Sequence, residues 1–333
     1  MPNQLSFQQE ILLIQLKRIG DLVLTAPVIQ ALKERYPNAR VTIALDAAFA
    51  SIAEILPADD FLFFKKKTAN LDFWRRLAGC RWDACYEFTG TDRGLLMALV
   101  SRAGTRVAYE RHRGFLSVLA VNRFVQADVK SLHAADYHLA LAGVTQQSLG
   151  YPLRISGDLR KSVMRMVHEL GINGPFAVVH PGTARPEKMW SPDNWARAVQ
   201  LLRDDSGLQV VFTGGNDPAE LEQIGSISAM ARRDGIFSLA GKTTLAELAA
   251  LIALARVFAG VDTGASHMAD LLGIPSAVLY GGTNPRNWGP RGSKGRAVGV
   301  TGVSVYPHDF PKSEMRDIPF ENLAAALRGI LAE

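Results

Sequence analysis

Cysteine is nearly absent. The two thiols in 333 residues, Cys80 and Cys85, are too few for a disulfide framework or a cysteine-rich zinc site. Such usage suits a reducing cytoplasm. Long apolar runs are missing too. The longest, such as Leu95 to Val100, fall far short of the ~20 residues a bilayer-spanning helix needs. The first ten residues are polar and carry Glu10, so no secretory signal is expected. There is no G-x-G-x-x-G after the first strand and no G-x-x-x-x-G-K-[ST], which excludes the usual dinucleotide fingerprint and the P-loop. There is also no D-x-D pair to hold a divalent metal, so no metal and no cofactor are expected.

What is present describes a large α/β chain. Hydrophobic residues make up 48%, and 29 glycines and 16 prolines are spread along the sequence rather than packed into a linker. The length suggests two domains. Charge is uneven: residues 1–170 hold 22 Lys+Arg and 16 Asp+Glu, a net of +6, leaving 15 and 16, a net of −1, for residues 171–333. A basic first half suggests an anionic partner. No recognition motif or aromatic-basic interleave points to nucleic acid.

Strand-length apolar runs alternate with helical patterns, the mark of parallel doubly wound sheets. In the first half the strands are expected at Ile11 to Leu16, Val41 to Leu45, Phe61 to Phe64, Ala84 to Phe88 and Arg106 to Ala108. One helix should run from Leu22 to Tyr36, with others at Gly94 to Arg102 and Leu132 to Leu141. The second half restarts the plan with strands at Phe176 to His180, Gln209 to Thr213, Ser238-Leu239, Val257 to Val261 and, closing the series, Ser276 to Tyr280. Helices are expected at Asn194 to Leu202, Pro218 to Ala231, Leu245 to Ala255 and Phe320 to Leu331. This gives an N-terminal Rossmann-like domain over 1–160, a second over 170–315, and a C-terminal helix over 316–333 packing back on the first domain.

Open α/β sheets bind ligands at the carboxyl ends of their strands. Four strand-to-helix turns are unusual: Gly20-Asp21, His180-Pro181-Gly182-Thr183, Gly214-Gly215-Asn216-Asp217 and Asp262-Thr263-Gly264. The last leads into Ala265-Ser266-His267, where free helix N–H groups, hydroxyls and an imidazole form an anion site. Asp262 would repel a phosphate, so a cap or a grip on sugar hydroxyls suits it better. An ordinary capped helix start explains this turn equally well. Phe61 to Lys67 joins apolar and basic residues, either touching an anionic bilayer or forming a buried strand with a solvated basic tip.

Three segments in register resemble the heptosyltransferases of lipopolysaccharide core assembly, glycosyltransferase family 9. They are Ile11 to Pro27 with Lys17-Arg18-Ile19-Gly20-Asp21; His180-Pro181-Gly182-Thr183 with Glu187-Lys188-Met189-Trp190 and Trp195; and Ser238 to Leu245 running through Asp262 to His267 to Tyr280-Gly281. The resemblance implies a GT-B fold, two Rossmann-like domains facing across a cleft, with the acceptor bound by the N-terminal domain and the nucleotide sugar by the C-terminal one. It implies inverting, metal-independent transfer of heptose from ADP-heptose to an anionic, lipid-linked saccharide.

In that chemistry Asp21 matches the family's base, which takes the proton of the acceptor hydroxyl. Lys188 matches its basic residue, and Lys188, Thr183, Thr263 and Gly264 would stabilise the leaving diphosphate without a metal. Asp262 and His267 match positions near the diphosphate and sugar, Asp217 or Glu220 would hold the ribose, and Lys242-Thr243 would lie along the adenine. Lys17, Arg18, Arg93, Arg111 and Arg113 are the acceptor candidates. Gln15 departs from the pattern, where relatives often carry Lys or Arg. The segment Ser238 to Leu245 leans toward members that add branch heptoses. The expected location is the cytoplasm, with peripheral contact at the inner face of the inner membrane. The alternatives are another nucleotide sugar, a protein acceptor, or a binding protein without catalysis.

Overall fold

A computed structural model describes residues 9–145, 151–232, 234–308 and 310–333. The chain divides into two compact units, Met1–Pro152 and Leu153–Glu333. The break falls at the early end of the stretch from Gly150 to Pro175 where the sequence puts the boundary, because Gly157–Glu169 is a helix of the second unit.

In the first unit, runs rich in Val, Ile, Leu and Phe form parallel strands β1 (Glu10–Ile14), β2 (Arg40–Asp46), β3 (Asp60–Phe64), β4 (Ala84–Glu87), β5 (Thr105–Tyr109) and β6 (Arg123–Val125). Their order is β3-β2-β1-β4-β5-β6, so the winding reverses between β1 and β4. The expected helix from Leu22 to Tyr36 is two helices, α1 (Ile19–Val23) and α2 (Ala26–Arg35). The Thr25 hydroxyl donates to the Leu22 carbonyl at 2.6 Å, and Pro27 sits in the first turn of α2, so the chain restarts there. Helices α3 (Leu71–Gly79), α4 (Asp92–Ser101) and α5 (Phe115–Ala120) cover one face of the sheet; α6 (Ala134–Ala142) pairs with α2.

The second unit repeats the plan. A helix, α7 (Gly157–Glu169), precedes β7 (Phe176–His180). Helix α8 (Pro192–Gln200), β8 (Gln209–Phe212), α9 (Pro218–Met230), β9 (Ile236–Ser238), α10 (Leu245–Leu254), β10 (Val257–Val261), α11 (Gly264–Leu271) and β11 (Ser276–Leu279) follow. The series does not close at Tyr280. A short helix α12 (Pro285–Trp288) leads to β12 (Gly295–Gly299), parallel to β11, and to β13 (Gly302–Ser304), antiparallel at the edge. The order β13-β12-β11-β10-β7-β8-β9 reverses between β7 and β10.

The C-terminal helix α13 (Phe320–Ala332) corrects a second expectation. Its apolar stripe, Leu323, Leu327 and Ile330, is buried in one core with Val179, Trp195 and Leu279 of the second unit. The first unit does not receive that stripe, because β11 and β12 offer their own open face to it. No helix among the described residues is long and apolar enough to cross a membrane.

Truncating Leu327, which is fully buried, to Ala removes packing from the centre of this core. The expected cost is about 2–5 kcal/mol, read by denaturant unfolding of the whole chain. A cost near zero would place α13 outside the core.

Each unit also buries a histidine, His138 and His180, and burial pushes both down to about 4. In the unfolded chain a histidine titrates near ~6.5. Above that pH both states are neutral and stability is flat. Between about 6.5 and about 4 the unfolded state binds protons that the fold refuses. Each histidine then withdraws up to about 1.4 kcal/mol per pH unit. Glu87 and Asp270, raised by burial, oppose this at the acid end. Thermal melts from about pH 7.5 to 5 should fall, and His180→Asn should shallow the slope. A melting temperature constant over that range would contradict the assignment.

Candidate functional site

Strand order selects the place to look. In each sheet the crevice opens where the winding reverses, beyond the carboxyl ends of the two strands flanking that point. In the second unit these strands are β7 and β10, adjacent through Gly260 and His180. The turns that follow them are His180-Pro181-Gly182-Thr183 and Asp262-Thr263-Gly264.

Lys188 joins the two. Its ammonium lies 2.6 Å from Asp262 Oδ2 and donates to the Asp262 carbonyl at 3.1 Å. Both side chains are largely shielded from solvent. An ammonium has three donors, so this geometry leaves one for a ligand. Asp262 is therefore neutralised in place. It is not the helix cap considered from sequence: Thr263 occupies that position. Ser266 Oγ turns back, accepting from the Thr263 N–H at 3.2 Å and donating to the Thr263 carbonyl at 2.7 Å. Thr263 Oγ1 is buried and has no hydrogen-bond partner. The first N–H groups of α11, beginning at Gly264, have no acceptor within the helix. Cation, unpaired hydroxyl and helix N-terminus thus form one anion-binding constellation.

His267 sits one turn into α11, with Nε2 3.8 Å from Asp262 Oδ1 and its ring 6.1 Å from the Trp288 ring. Burial lowers its pKa, Asp262 opposing and Lys188 reinforcing, so the imidazole stays neutral. Trp288 is held through its carbonyl, which accepts from the Tyr280 hydroxyl at 3.0 Å. Sequence reasoning missed Trp288; the Asn284-Pro285 helix start just after a strand was the available signal.

The neighbouring turn brings in Glu220. It is 7% exposed, and its Oε2 accepts from the Gly215 N–H at 2.8 Å. A Cβ on Gly182 would lie 2.5 Å from that oxygen, so glycine permits the approach of the β7 turn. Asp217 is exposed and caps α9, accepting from the Ala219 N–H at 2.9 Å. Glu220 stands among the turns and Asp217 on the rim. Thr183 is buried, its hydroxyl accepting from the Arg185 N–H at 3.3 Å. Gly241 donates to the Gly214 carbonyl at 3.0 Å, laying the exposed Lys242 and half-buried Thr243 beside the β8 turn.

In the first unit the reversal lies between β1 and β4, where Ile14 pairs with Glu87. Asp21 is in the first turn of α1, not at its cap. Burial raises its pKa; the charges of Arg18, Arg111 and Lys17 hold it back. Arg18 has φ 51 and ψ 130, a positive-φ residue immediately before α1. Arg111 lies over the Tyr137 ring at 4.9 Å. Three of the acceptor candidates therefore gather about Asp21. The other two do not: Arg93 stacks 5.0 Å over Phe64, and Arg113 pairs with Glu110 at 2.8 Å.

A carboxylate unmarked in the sequence, Glu87, completes this face. It is fully buried and accepts from the N–H groups of Thr89 (2.9 Å) and Gly90 (2.8 Å) and from the Thr89 hydroxyl. Burial raises its pKa against those bonds. The run Thr89-Gly90-Thr91-Asp92 was its turn signal. Phe61 to Lys67 resolves as strand plus basic tip: Leu62 and Phe64 are buried, and Lys66 pairs with Asp46 at 2.6 Å. Among the described residues no group of three or more His, Cys, Asp or Glu is arranged to hold a metal.

Known proteins share this fold. The family model described as glycosyltransferase family 9 (heptosyltransferase) matches residues 70–310. Lipopolysaccharide heptosyltransferase 3 of Escherichia coli K12 is 26% identical over 332 residues, covering 94% of this chain and 96% of that protein. Among solved structures, a glycosyl transferase family 9 protein from Veillonella parvula superposes with TM-score 0.83 at 22% identity, covering 97% of each chain. The Escherichia coli ADP-heptose lps heptosyltransferase II superposes with TM-score 0.79 at 21% identity, covering 97% of this chain and 99% of that one. With its two doubly wound units and a match across most of its length, the chain belongs to glycosyltransferase family 9, the heptosyltransferases.

Proposed function

We propose that the protein transfers heptose from ADP-heptose to an inner-core lipopolysaccharide acceptor, with inversion and without a metal. The observation that carries this reading is Lys188, held by Asp262 at the strand-order reversal of the second unit. A nucleoside diphosphate leaving group needs positive charge where its bond breaks. Lys188, the N-terminus of α11 through Thr263 and Gly264, and the Thr183 hydroxyl supply it here. Glu220 rather than Asp217 suits the ribose hydroxyls, because it lies among the turns and Asp217 caps α9. Backbone groups of Lys242 and Thr243 suit the adenine. His267, neutral and beside Asp262, suits hydroxyls of the transferred sugar.

In the transfer, the acceptor oxygen forms a bond to the anomeric carbon as the bond from that carbon to the phosphate oxygen breaks. ADP departs with the bonding pair. Asp21 takes the acceptor's proton. Its burial raises the group and makes the carboxylate more basic than an exposed one, while Arg18, Arg111 and Lys17 hold that rise back and offer charge to an anionic acceptor. The acceptor is lipid-linked, which places the enzyme in peripheral contact with the membrane that holds it. That one chain carries Asp21 in its first unit and Lys188, Asp262 and His267 in its second favours catalysis over mere binding.

Asp21→Asn should retain ADP-heptose affinity and lose turnover by about 10²–10⁴-fold. In the parent, kcat/KM should fall on the acid side at a pH above the ordinary aspartate range, since burial raises the group. Single-turnover assays at several pH values read both. Near-normal turnover of the variant would remove Asp21 from the base role.

A further inference from the structure

We infer that the outer face of α4 and α5 is a docking surface for an anionic lipid bilayer. Exposed apolar side chains are usually scattered singly. Here five fall on two adjacent helices: Leu96, Leu99, Phe115, Val118 and Leu119. Phe115 is 87% exposed, and Val118 and Leu119 each 54%.

The local sequence explains why they face outward. On α4, Leu95 and Ala98 point into the core, leaving Arg93, Leu96 and Leu99 on a stripe at intervals of three. On α5, Ser117 and Ala120 are the inward positions. The segment Phe-Leu-Ser-Val-Leu-Ala contains no charge. A solvated helix of a globular protein carries polar residues on its outer face; this one carries phenylalanine, valine and leucine.

Charge identifies the occupant. Residues 92–128, which hold both helices, contain Arg93, Arg102, Arg106, Arg111, Arg113 and Arg123 against Asp92, Glu110 and Asp128, a net of +3. Arg106 is spent inside the fold, donating to the carbonyls of Ala120 (2.8 Å) and Ala103 (2.7 Å). Arg93, Arg102, Arg113 and Arg123 are exposed and lie on these helices or next to them in the sequence, with Arg113 paired to Glu110 at 2.8 Å. An apolar, aromatic centre flanked by these arginines supplies the two signals that stable binding to an anionic interface requires. A second copy of the chain fits less well, since a two-fold contact would set the arginines against each other.

The placement also serves the reaction. Helices α4 and α5 begin beyond the carboxyl ends of β4 and β5, the end of the sheet at which Asp21 follows β1. The patch therefore reaches the rim where Arg111 stands. This purpose rests on the lipid-linked acceptor of the proposed function, whereas vesicle binding needs neither acceptor nor donor.

The test is flotation of the full chain with phosphatidylcholine vesicles, with and without phosphatidylglycerol. Binding should require phosphatidylglycerol and weaken with salt. Phe115→Glu with Leu119→Glu should lower the bound fraction about tenfold or more. Met164→Glu with Met230→Glu, exposed positions of the second unit, should leave it unchanged. ADP titration of each variant checks that it is folded. Absence of parent binding, equal binding to neutral vesicles, or equal flotation of the first variant would overturn the proposal. So would a dimer in sedimentation velocity that the first variant abolishes, which would assign the face to a second copy. Loss of vesicle binding with intact donor binding sinks only the surface; failed donor binding with intact flotation sinks only the donor site.

Discussion

The contact between Lys188 and Asp262 organises the second unit's site. A carboxylate at a helix N-terminus where phosphate should bind is a contradiction until a cation neutralises it. Lys188 does so from the other strand's turn, at 2.6 Å and largely shielded. A pair so enclosed has little to recommend it for stability alone, since desolvation offsets much of the attraction. It does fix one flexible side chain. Two of the ammonium's donors are committed to Asp262, which restricts where the third can point. Neutral His267, the uncapped hydroxyl of Thr263 and the Glu220 carboxylate acquire their places relative to that fixed charge.

Both units answer the same problem with one topology. Each sheet reverses its winding between its first and fourth strands, and each places its charged side chains in the turns beyond that reversal. The furnishing differs. The second unit gathers donors for an anion; the first surrounds a half-buried acid, Asp21, with cations and sets a fully buried one, Glu87, beneath the 88–91 turn. The proposed donor-binding and proton-accepting roles can be carried by the same fold because function resides in the loops.

Much of this was legible in the sequence. Continuous apolar runs located β1, β2, β7, β8 and β10 to within a residue or two, since strands buried on both faces admit little else. Asp21, Asp262 and His267 stood out as candidates because strand-to-helix turns advertise themselves through glycine, threonine and aspartate, and Lys188 through the resemblance carried by Glu187-Lys188-Met189-Trp190. Other features gave weak local signals. The split between α1 and α2 was marked only by Thr25 and Pro27, inside what reads as one helical stripe. β12 is glycine-rich, and α5 has no polar face to mark its period. Helix α7 shows Leu159, Val163 and Val167 at intervals of four but fell where a linker was expected. The choice between Asp217 and Glu220 required three dimensions, because only folding brings Gly182 against residue 220. The direction of α13 was equally hidden: an amphipathic helix declares that it packs, not where.

The most direct test of the account is calorimetric titration of the parent and of Lys188→Met with ADP-heptose, and with UDP-glucose as control, in EDTA. The account predicts tight, adenine-selective binding by the parent without metal. It predicts at least about a tenfold loss in the variant, whose circular dichroism should show a retained fold. Preference for the uridine donor, dependence on added metal, or undiminished binding by the variant would contradict it.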